Sequence, residues 1–230
     1  EDVNYVKEAD RFGDGSLTRA LQMQERYSFQ DERFLEAYGV SIGSLKRALL
    51  PKFGSVVTDR YAENFLVTGY CEEPQGKLSR VHHPKLLNVD PDLQYDLATR
   101  DLSKLLFVPQ NKFDAGTVQH LISLFYKEMG YGHEDKDDFD LAMIVANFER
   151  HHAWAPHILK AKAAKANTNV SFEEAVQEAV YHFNIGKLVE DGLSQVFARE
   201  KSGGASLHNF EYVKKTLYEQ FHTLLDKSVE

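Results

Sequence analysis

Apolar residues recur at steps of three and four along most of the chain, which favours helices over those stretches. The clearest case is the terminal segment 209–226, where the apolar residues Phe210, Val213, Leu217, Phe221, Leu224 and Leu225 share one helical face. Convincing alternation with a period of two, which is typical of a half-buried strand, is absent from the sequence. The spacing therefore predicts an all-α fold of about ten amphipathic helices, arranged as an irregular bundle or as α-hairpins in a solenoid-like layout.

Helix-capping residues set several of the predicted boundaries. Ser171 and Glu174 form a capping box at the start of a helix whose end Gly186 is expected to mark. Asp114 is expected to cap a helix that stops at Gly130. The other predicted helices cover 17–27, 29–38, 44–50, 55–70, 156–166 and 187–200, and one more begins at Asp90-Pro91.

A further helix is predicted over 138–152. The acidic residues of 134–138 suit the positive end of its dipole, and Pro156 is expected to lie beyond its end. His151 and His152 then fall in the last turn, where imidazoles interact well with the helix C-terminus. We therefore predict that these two histidines cap the helix.

Two stretches lack helical periodicity and are candidates for boundaries. Residues 71–91 form the longest such stretch and hold three of the six prolines, so they are the better candidate. Residues 201–206 read as a glycine-containing joint before a terminal helix over 207–230. The sequence predicts a single all-α domain over 1–230, with 71–91 as the place for a sub-boundary or a long internal loop.

Charge and cysteine content exclude several classes of protein. Lys and Arg number 27 against 35 Asp and Glu, a net charge of −8, which argues against nucleic acid as a partner. The one cysteine, Cys71, excludes an internal disulfide framework. No apolar run reaches the roughly 20 residues of a spanning helix, so we expect a protein that does not span a membrane; peripheral membrane association stays open.

The first residues bear on localisation. The chain opens Glu1-Asp2-Val3 without an initiator methionine, so either a targeting peptide has been cleaved or the chain has been trimmed. Few cysteines fit an intracellular reducing compartment. We predict a mitochondrial setting, with the cytoplasm as the alternative.

Residues 10–18 resemble the first nine positions of an EF-hand calcium loop. Phe12 stands where the third position needs an oxygen ligand, and Leu21 stands where a bidentate glutamate belongs. These departures favour a turn followed by a capped helix.

Two pairs of acidic and histidine residues supply an alternative interpretation. Glu149 and His152 are three residues apart, and Glu178 and His182 are four apart. The first pair resembles the Glu-x-x-His pairs of ferritin-like di-iron proteins, and the second departs from that spacing. In this alternative the protein is a helical metalloprotein with these four residues as ligands; the leading interpretation includes no metal and no cofactor.

Aromatic content guides the leading prediction of function. The chain has 11 Tyr and 15 Phe, which either form an interaction surface or fill one large core. Examples are Tyr27, Phe29, Phe34, Tyr38, Tyr61, Phe65 and Tyr70.

No hydrolase elbow, phosphate-binding loop or dinucleotide fingerprint is present in the sequence. We therefore predict a non-catalytic structural or interaction subunit of a larger assembly, whose partners are other protein subunits. The remaining alternative is a small-molecule or lipid-binding helical bundle with a large apolar cavity.

Overall fold

The structure is a computed structural model that describes residues 15–57, 65–72, 78–88, 94–107, 113–164, 171–199 and 204–229. Side chains are described for 17–55, 95–107, 113–161, 171–199 and 204–228. The EF-hand-like segment lies mostly outside these ranges, and its last residues belong to the first helix.

Helices dominate the described residues, as predicted. The helices are α1 (Gly15–Tyr27), α2 (Glu32–Tyr38), α3 (Ser44–Phe53), α4 (Thr99–Leu106), α5 (Ala115–Glu128), α6 (Lys136–Ala164), α7 (Phe172–Arg199) and α8 (Ala205–Val229). A π-helical turn, Gly39–Gly43, joins α2 to α3, and a 3₁₀ turn, His133–Asp135, precedes α6. The described ranges thus hold eight α-helices where about ten were predicted, because two pairs of predicted helices are each one continuous helix and strands occupy the described part of the helix predicted over 55–70.

Four strands lie between α3 and α4 in this mostly helical fold. They are β1 (Gly54–Val57), β2 (Phe65–Glu72), β3 (Leu78–Asn88) and β4 (Gln94–Leu97). β1 pairs with β4 and β2 pairs with β3, both antiparallel. The described parts of the helix predicted over 55–70 and of the loop predicted over 71–91 are therefore strands instead. Asp90-Pro91 lies outside the described residues, and the next described helix begins at Thr99. Val56-Val57 and Val67-Thr68 fall within strands, in keeping with the β-propensity of branched residues.

α6 continues through Pro156, where the sequence predicted a break. A proline inside a helix costs about 3 kcal/mol, because it cannot donate a hydrogen bond to the carbonyl four residues earlier. Ala153 and Ala155 on one side and Ile158 and Leu159 on the other are buried, and their burial offsets this cost. His151 and His152 consequently lie in the middle of a helix, so their predicted role as C-terminal caps is wrong.

α7 likewise continues through Gly186, which was predicted to end it. A β-carbon at this glycine would lie 2.8 Å from Nε2 of His152 on α6. Gly186 therefore permits close packing of two helices instead of terminating one.

Two predicted N-caps are confirmed. The Ser171 backbone N–H donates to Glu174 Oε2 at 2.7 Å, and the Glu174 N–H donates to Ser171 Oγ at 3.2 Å. Asp114 Oδ1 accepts the backbone N–H of Thr117 at 2.7 Å at the start of α5. Each bond satisfies a donor that the helix itself leaves unpaired.

The core surrounds α6, which packs against α1, α3, α4, α7 and α8. The aromatic residues Tyr27, Phe34 and Tyr38 are buried in it, so these three fill a core rather than form a surface. The side chains of Tyr61, Phe65 and Tyr70 lie outside the described residues. α8 confirms the predicted terminal helix, with Phe210, Val213, Leu217 and Phe221 buried. The single-domain organisation over 1–230 stays a prediction.

Candidate functional site

A fully buried lysine lies at the centre of a charged network in the core. Lys46 Nζ on α3 lies 2.8 Å from Asp96 Oδ1 on β4 and 2.9 Å from Glu149 Oε2 on α6. Tyr38, at the end of α2, donates its hydroxyl to Glu149 Oε1 at 2.8 Å. Four elements thus meet through three charges and one hydroxyl.

Asp96 extends the network towards two further helices. Arg100 on α4 donates to Asp96 Oδ2 at 3.2 Å, and an Arg19 nitrogen on α1 lies 3.7 Å from the same oxygen. Asp96 Oδ1 also accepts the backbone N–H of Leu97 at 2.7 Å. The short strand β4 is therefore held between α1, α3 and α4 by a single carboxylate.

The surroundings of the network shift the pKa of two of its members. Burial lowers the pKa of Lys46, but the carboxylates of Glu149 and Asp96 outweigh it, so the net pKa is raised and the ammonium stays charged. Burial, together with the charge of Glu149, raises the pKa of Tyr38 well above its usual range, so its hydroxyl stays protonated and remains a donor. This geometry is suited to stabilising the fold, because Lys46, Asp96 and Glu149 are all buried and the ammonium of Lys46 is paired with both carboxylates.

A pair of buried histidines joins α6 to α7. Nδ1 of His151 lies 2.8 Å from Nδ1 of His182, and the rings stack with centroids 5.0 Å apart. One nitrogen must donate and the other accept, so at least one ring is neutral, and two neutral rings must be of different tautomers. Within the described part of the chain, Nε2 of each ring has no hydrogen-bond partner.

The environment of this pair opposes protonation. Burial, with the nearby charge of Arg150, lowers the pKa of His182 to about 3. Burial and the neighbouring His182, Arg150 and His152 lower the pKa of His151 well below its usual range. Both imidazoles are therefore neutral near pH 7.

A third buried histidine contacts α7 one turn further along. His152 Nε2 lies 2.9 Å from Oε1 of Glu190, and the ring packs against Phe148 and Phe183. The same ring lies against Gly186. His151 and His152 thus make two successive polar contacts across the α6–α7 interface.

The four candidate metal ligands are not brought together. Glu149 contacts Lys46 and Tyr38, His152 contacts Glu190, and His182 contacts His151. Glu178 is half-buried on α7. Among the described residues, no group of three or more His, Cys, Asp or Glu is arranged to hold a metal ion. Glu149, His152 and His182 instead take part in three separate contacts between elements of the fold.

A surface hollow lies at the end of α1, with a volume of about 470 Å³. Its lining is mixed, with the apolar residues Leu21 and Phe29 beside Gln24, Glu25, Ser28 and Gln30. This hollow differs from the large apolar cavity expected of a lipid-binding bundle.

The side of α7 that faces away from α6 carries exposed apolar residues. Leu188 is 79% exposed and Tyr181 is 40% exposed, and a spacing of seven residues places both on one helical face. We call this surface the outer face of α7; its exposed residues are Gln177, Tyr181, Asn184, Leu188, Asp191 and Gln195. Leu188 is the most exposed of the large apolar residues in the described part of the chain, and tyrosine is enriched at protein interfaces.

α5 also differs from an ordinary surface helix, although less than α7 does. None of its residues is buried, and Leu124 is 44% exposed. No Asp, Glu, Lys or Arg occurs over 115–126, whereas a solvated helix face is normally charged. Half-buried apolar residues attach α5 to the core: Val118, Leu121, Ile122, Phe125 and Tyr126.

Lys46, Asp96 and Glu190 were not singled out from the sequence, and Tyr38 was named only as one of the aromatic residues. Lys46 carries a detectable signal, because it shares a helical face with the buried residues Ile42, Leu49 and Phe53. A lysine on an apolar face indicates a buried ion pair. Asp96 has no such signal, since its position depends on the pairing of β4 with β1.

No helix in the described ranges is long and apolar enough to cross a membrane. Comparisons with models of protein families, with curated proteins and with solved structures found no match for this chain.

Proposed function

We propose that this protein is a helical interaction subunit that binds another protein through the outer face of α7. The observation that carries the proposal is the 79% exposure of Leu188, with Tyr181 on the same helical face. Burying a leucine side chain contributes about 1.5–3 kcal/mol, and tyrosine supplies a large, rigid contact that tolerates residual water. A stable α7 therefore presents an energetically useful anchor to a partner.

The inner side of α7 makes this face rigid. His182 contacts His151, and Gly186 packs against His152, so two successive turns of α7 are fixed to α6. A surface with little freedom loses little conformational entropy when a partner binds. The buried polar groups thus support the proposal by positioning α7.

The charged core favours a structural role over a catalytic one. Lys46, Asp96 and Glu149 are buried and paired, so a substrate cannot approach them without separating α3, β4 and α6. Breaking such a pair costs about 3–5 kcal/mol. This arrangement agrees with the absence of sequence motifs for catalysis.

The native mass of the protein in a gentle extract tests the proposal. The unaltered protein is expected to migrate far above its 26.3 kDa, and Leu188→Ser is expected to shift most of it to a smaller species. Leu124→Ser on α5 is the matched control, since Leu124 is 44% exposed and lies on another surface. Migration of the unaltered protein as a free monomer, or an equal response to both substitutions, would contradict the proposal.

Fractionation of the same cells tests the mitochondrial setting, which stays a prediction beside the cytoplasmic alternative.

A further inference from the structure

Acidic residues lie towards both ends of the outer face of α7, with its exposed apolar residues between them. Glu173 and Glu174 are exposed near the start of the helix, and Asp191 is exposed one turn beyond Leu188. At 1.5 Å per residue, Glu173 and Asp191 are about 27 Å apart along the axis, with the apolar residues between them. The face therefore has an apolar middle and negative charge towards both ends.

α7 carries few positively charged residues. α7 carries five carboxylates, namely Glu173, Glu174, Glu178, Glu190 and Asp191. Before the final Arg199 its lysine is Lys187, whose Nζ lies 5.1 Å from the centre of the Tyr218 ring on α8. His182 is buried and neutral, so it adds no charge. The acidic residues thus set the sign of the potential over the outer face.

We infer that the outer face of α7 binds a basic amphipathic helix of a partner protein. This inference rests on the proposed function and adds the chemistry of the partner. Apolar side chains of that helix would cover Tyr181 and Leu188, and its Lys or Arg residues would lie near Glu173, Glu174 and Asp191. About five turns of helix would span the face.

A second copy of this chain fits less well. Each copy carries a net charge of −8, so like charges oppose association. A parallel pair of α7 helices would place each carboxylate beside its counterpart. An antiparallel pair about the midpoint of Tyr181 and Leu188 would bring Asp191 towards Glu178. Charge complementarity therefore favours a basic partner.

Two synthetic peptides of about 18 residues, titrated into the full chain, provide the test. One is a labelled amphipathic helix of Leu and Lys, and the other has Glu at every Lys position; fluorescence anisotropy measures their binding. The lysine peptide is expected to bind, with affinity falling as salt is raised. The glutamate peptide is expected to bind at least tenfold more weakly, because its charges oppose those of α7.

Substitutions in the chain localise the binding. Leu188→Ser is expected to weaken the lysine peptide about tenfold, because it removes the apolar anchor. The double substitution Glu173→Gln with Asp191→Asn is expected to weaken it about two- to fivefold and to reduce the salt dependence. Leu124→Ser and Glu128→Gln, both at exposed positions on α5, serve as controls and should leave the affinity unchanged. Circular dichroism confirms that each variant is folded.

The outcomes separate this inference from the proposed function. The basic-helix inference would be overturned if the lysine peptide does not bind, if both peptides bind equally, or if Leu188→Ser leaves the affinity for the lysine peptide unchanged. If the native mass still falls in Leu188→Ser while the lysine peptide fails, the interaction surface stands and the partner has another chemistry. If neither measurement depends on Leu188, both proposals are wrong.

Discussion

Gly186 on α7 lies so close to His152 on α6 that a β-carbon at position 186 would be 2.8 Å from Nε2 of the ring. The ring cannot easily move away, because Nε2 also contacts Glu190 at 2.9 Å and the side chain is fully buried. This contact sets how closely α6 and α7 approach each other.

We expect Gly186→Ala to destabilise the protein by about 1–3 kcal/mol, because the added methyl group overpacks the α6–α7 interface. Gly192→Ala is a matched control on the same helix, since a β-carbon there would lie 3.5 Å from Ile144 Cδ1 in ordinary contact. In a helix interior that substitution should stabilise by roughly 0.5–1 kcal/mol. Denaturant unfolding measures both; the same sign for the two substitutions would refute the prediction.

The helical part of the fold was largely predictable, because local signals specify it. The capping box of Ser171 and Glu174 was recognised because both partners lie within one turn. The continuation of α6 through Pro156 and of α7 through Gly186 was not predicted, since burial against other helices overrides the local preference of each residue.

The strands and most of the buried polar contacts depend on residues far apart in sequence. β1 pairs with β4, about forty residues away, and no count of periodicity within a short window detects that pairing. The contact between His151 and His182 likewise requires the packing of α6 on α7. The sequence identified His182 as a notable residue, but for a metal site rather than for a contact between two helices.

Lys46→Met is expected to destabilise the protein by about 3–5 kcal/mol, because it leaves Glu149 and Asp96 buried without their ammonium partner. Tyr38→Phe should cost less, about 1.5–3 kcal/mol, since it removes one hydrogen bond to a carboxylate. The control is Lys215→Met, which breaks an exposed pair with Glu219 and should change stability by less than about 1 kcal/mol. Equal effects of Lys46→Met and Lys215→Met in thermal unfolding would rule out a structural role for the network.

Stability should fall as the pH drops below about 6.5. His151 and His182 have lowered pKa values in the folded protein, about 3 for His182. Below about pH 6.5 the unfolded chain therefore binds more protons than the folded chain does. Each histidine contributes up to about 1.4 kcal/mol per pH unit to the slope of the unfolding free energy.

Urea unfolding between pH 8 and pH 5 measures this slope. His182→Gln should reduce it, because one of the titrating groups with a lowered pKa is gone. Gly192→Ala should raise stability across the range without altering the slope. A slope that His182→Gln leaves unchanged would show that the pair does not control the response to pH.

Hydrogen exchange should distinguish α5 from the central helix. α5 contains no buried residue, whereas α6 contains a long run of them, so local opening of α5 exposes little apolar surface. We expect the amides of Leu121 to Phe125 to exchange much faster than those of Val145 to Glu149. Comparable protection of the two segments would contradict this prediction.

Photo-cross-linking from position 181 tests most directly whether the outer face of α7 is an interaction surface. A photoreactive phenylalanine replaces Tyr181 in one variant and Tyr95 in another; Tyr95 on β4 is 49% exposed and serves as the control. Irradiation in cells is expected to give one adduct of defined mass from position 181, none from position 95, and none from position 181 when Leu188→Ser is also present. No adduct from position 181, or the same adducts from both positions, would contradict the proposed function.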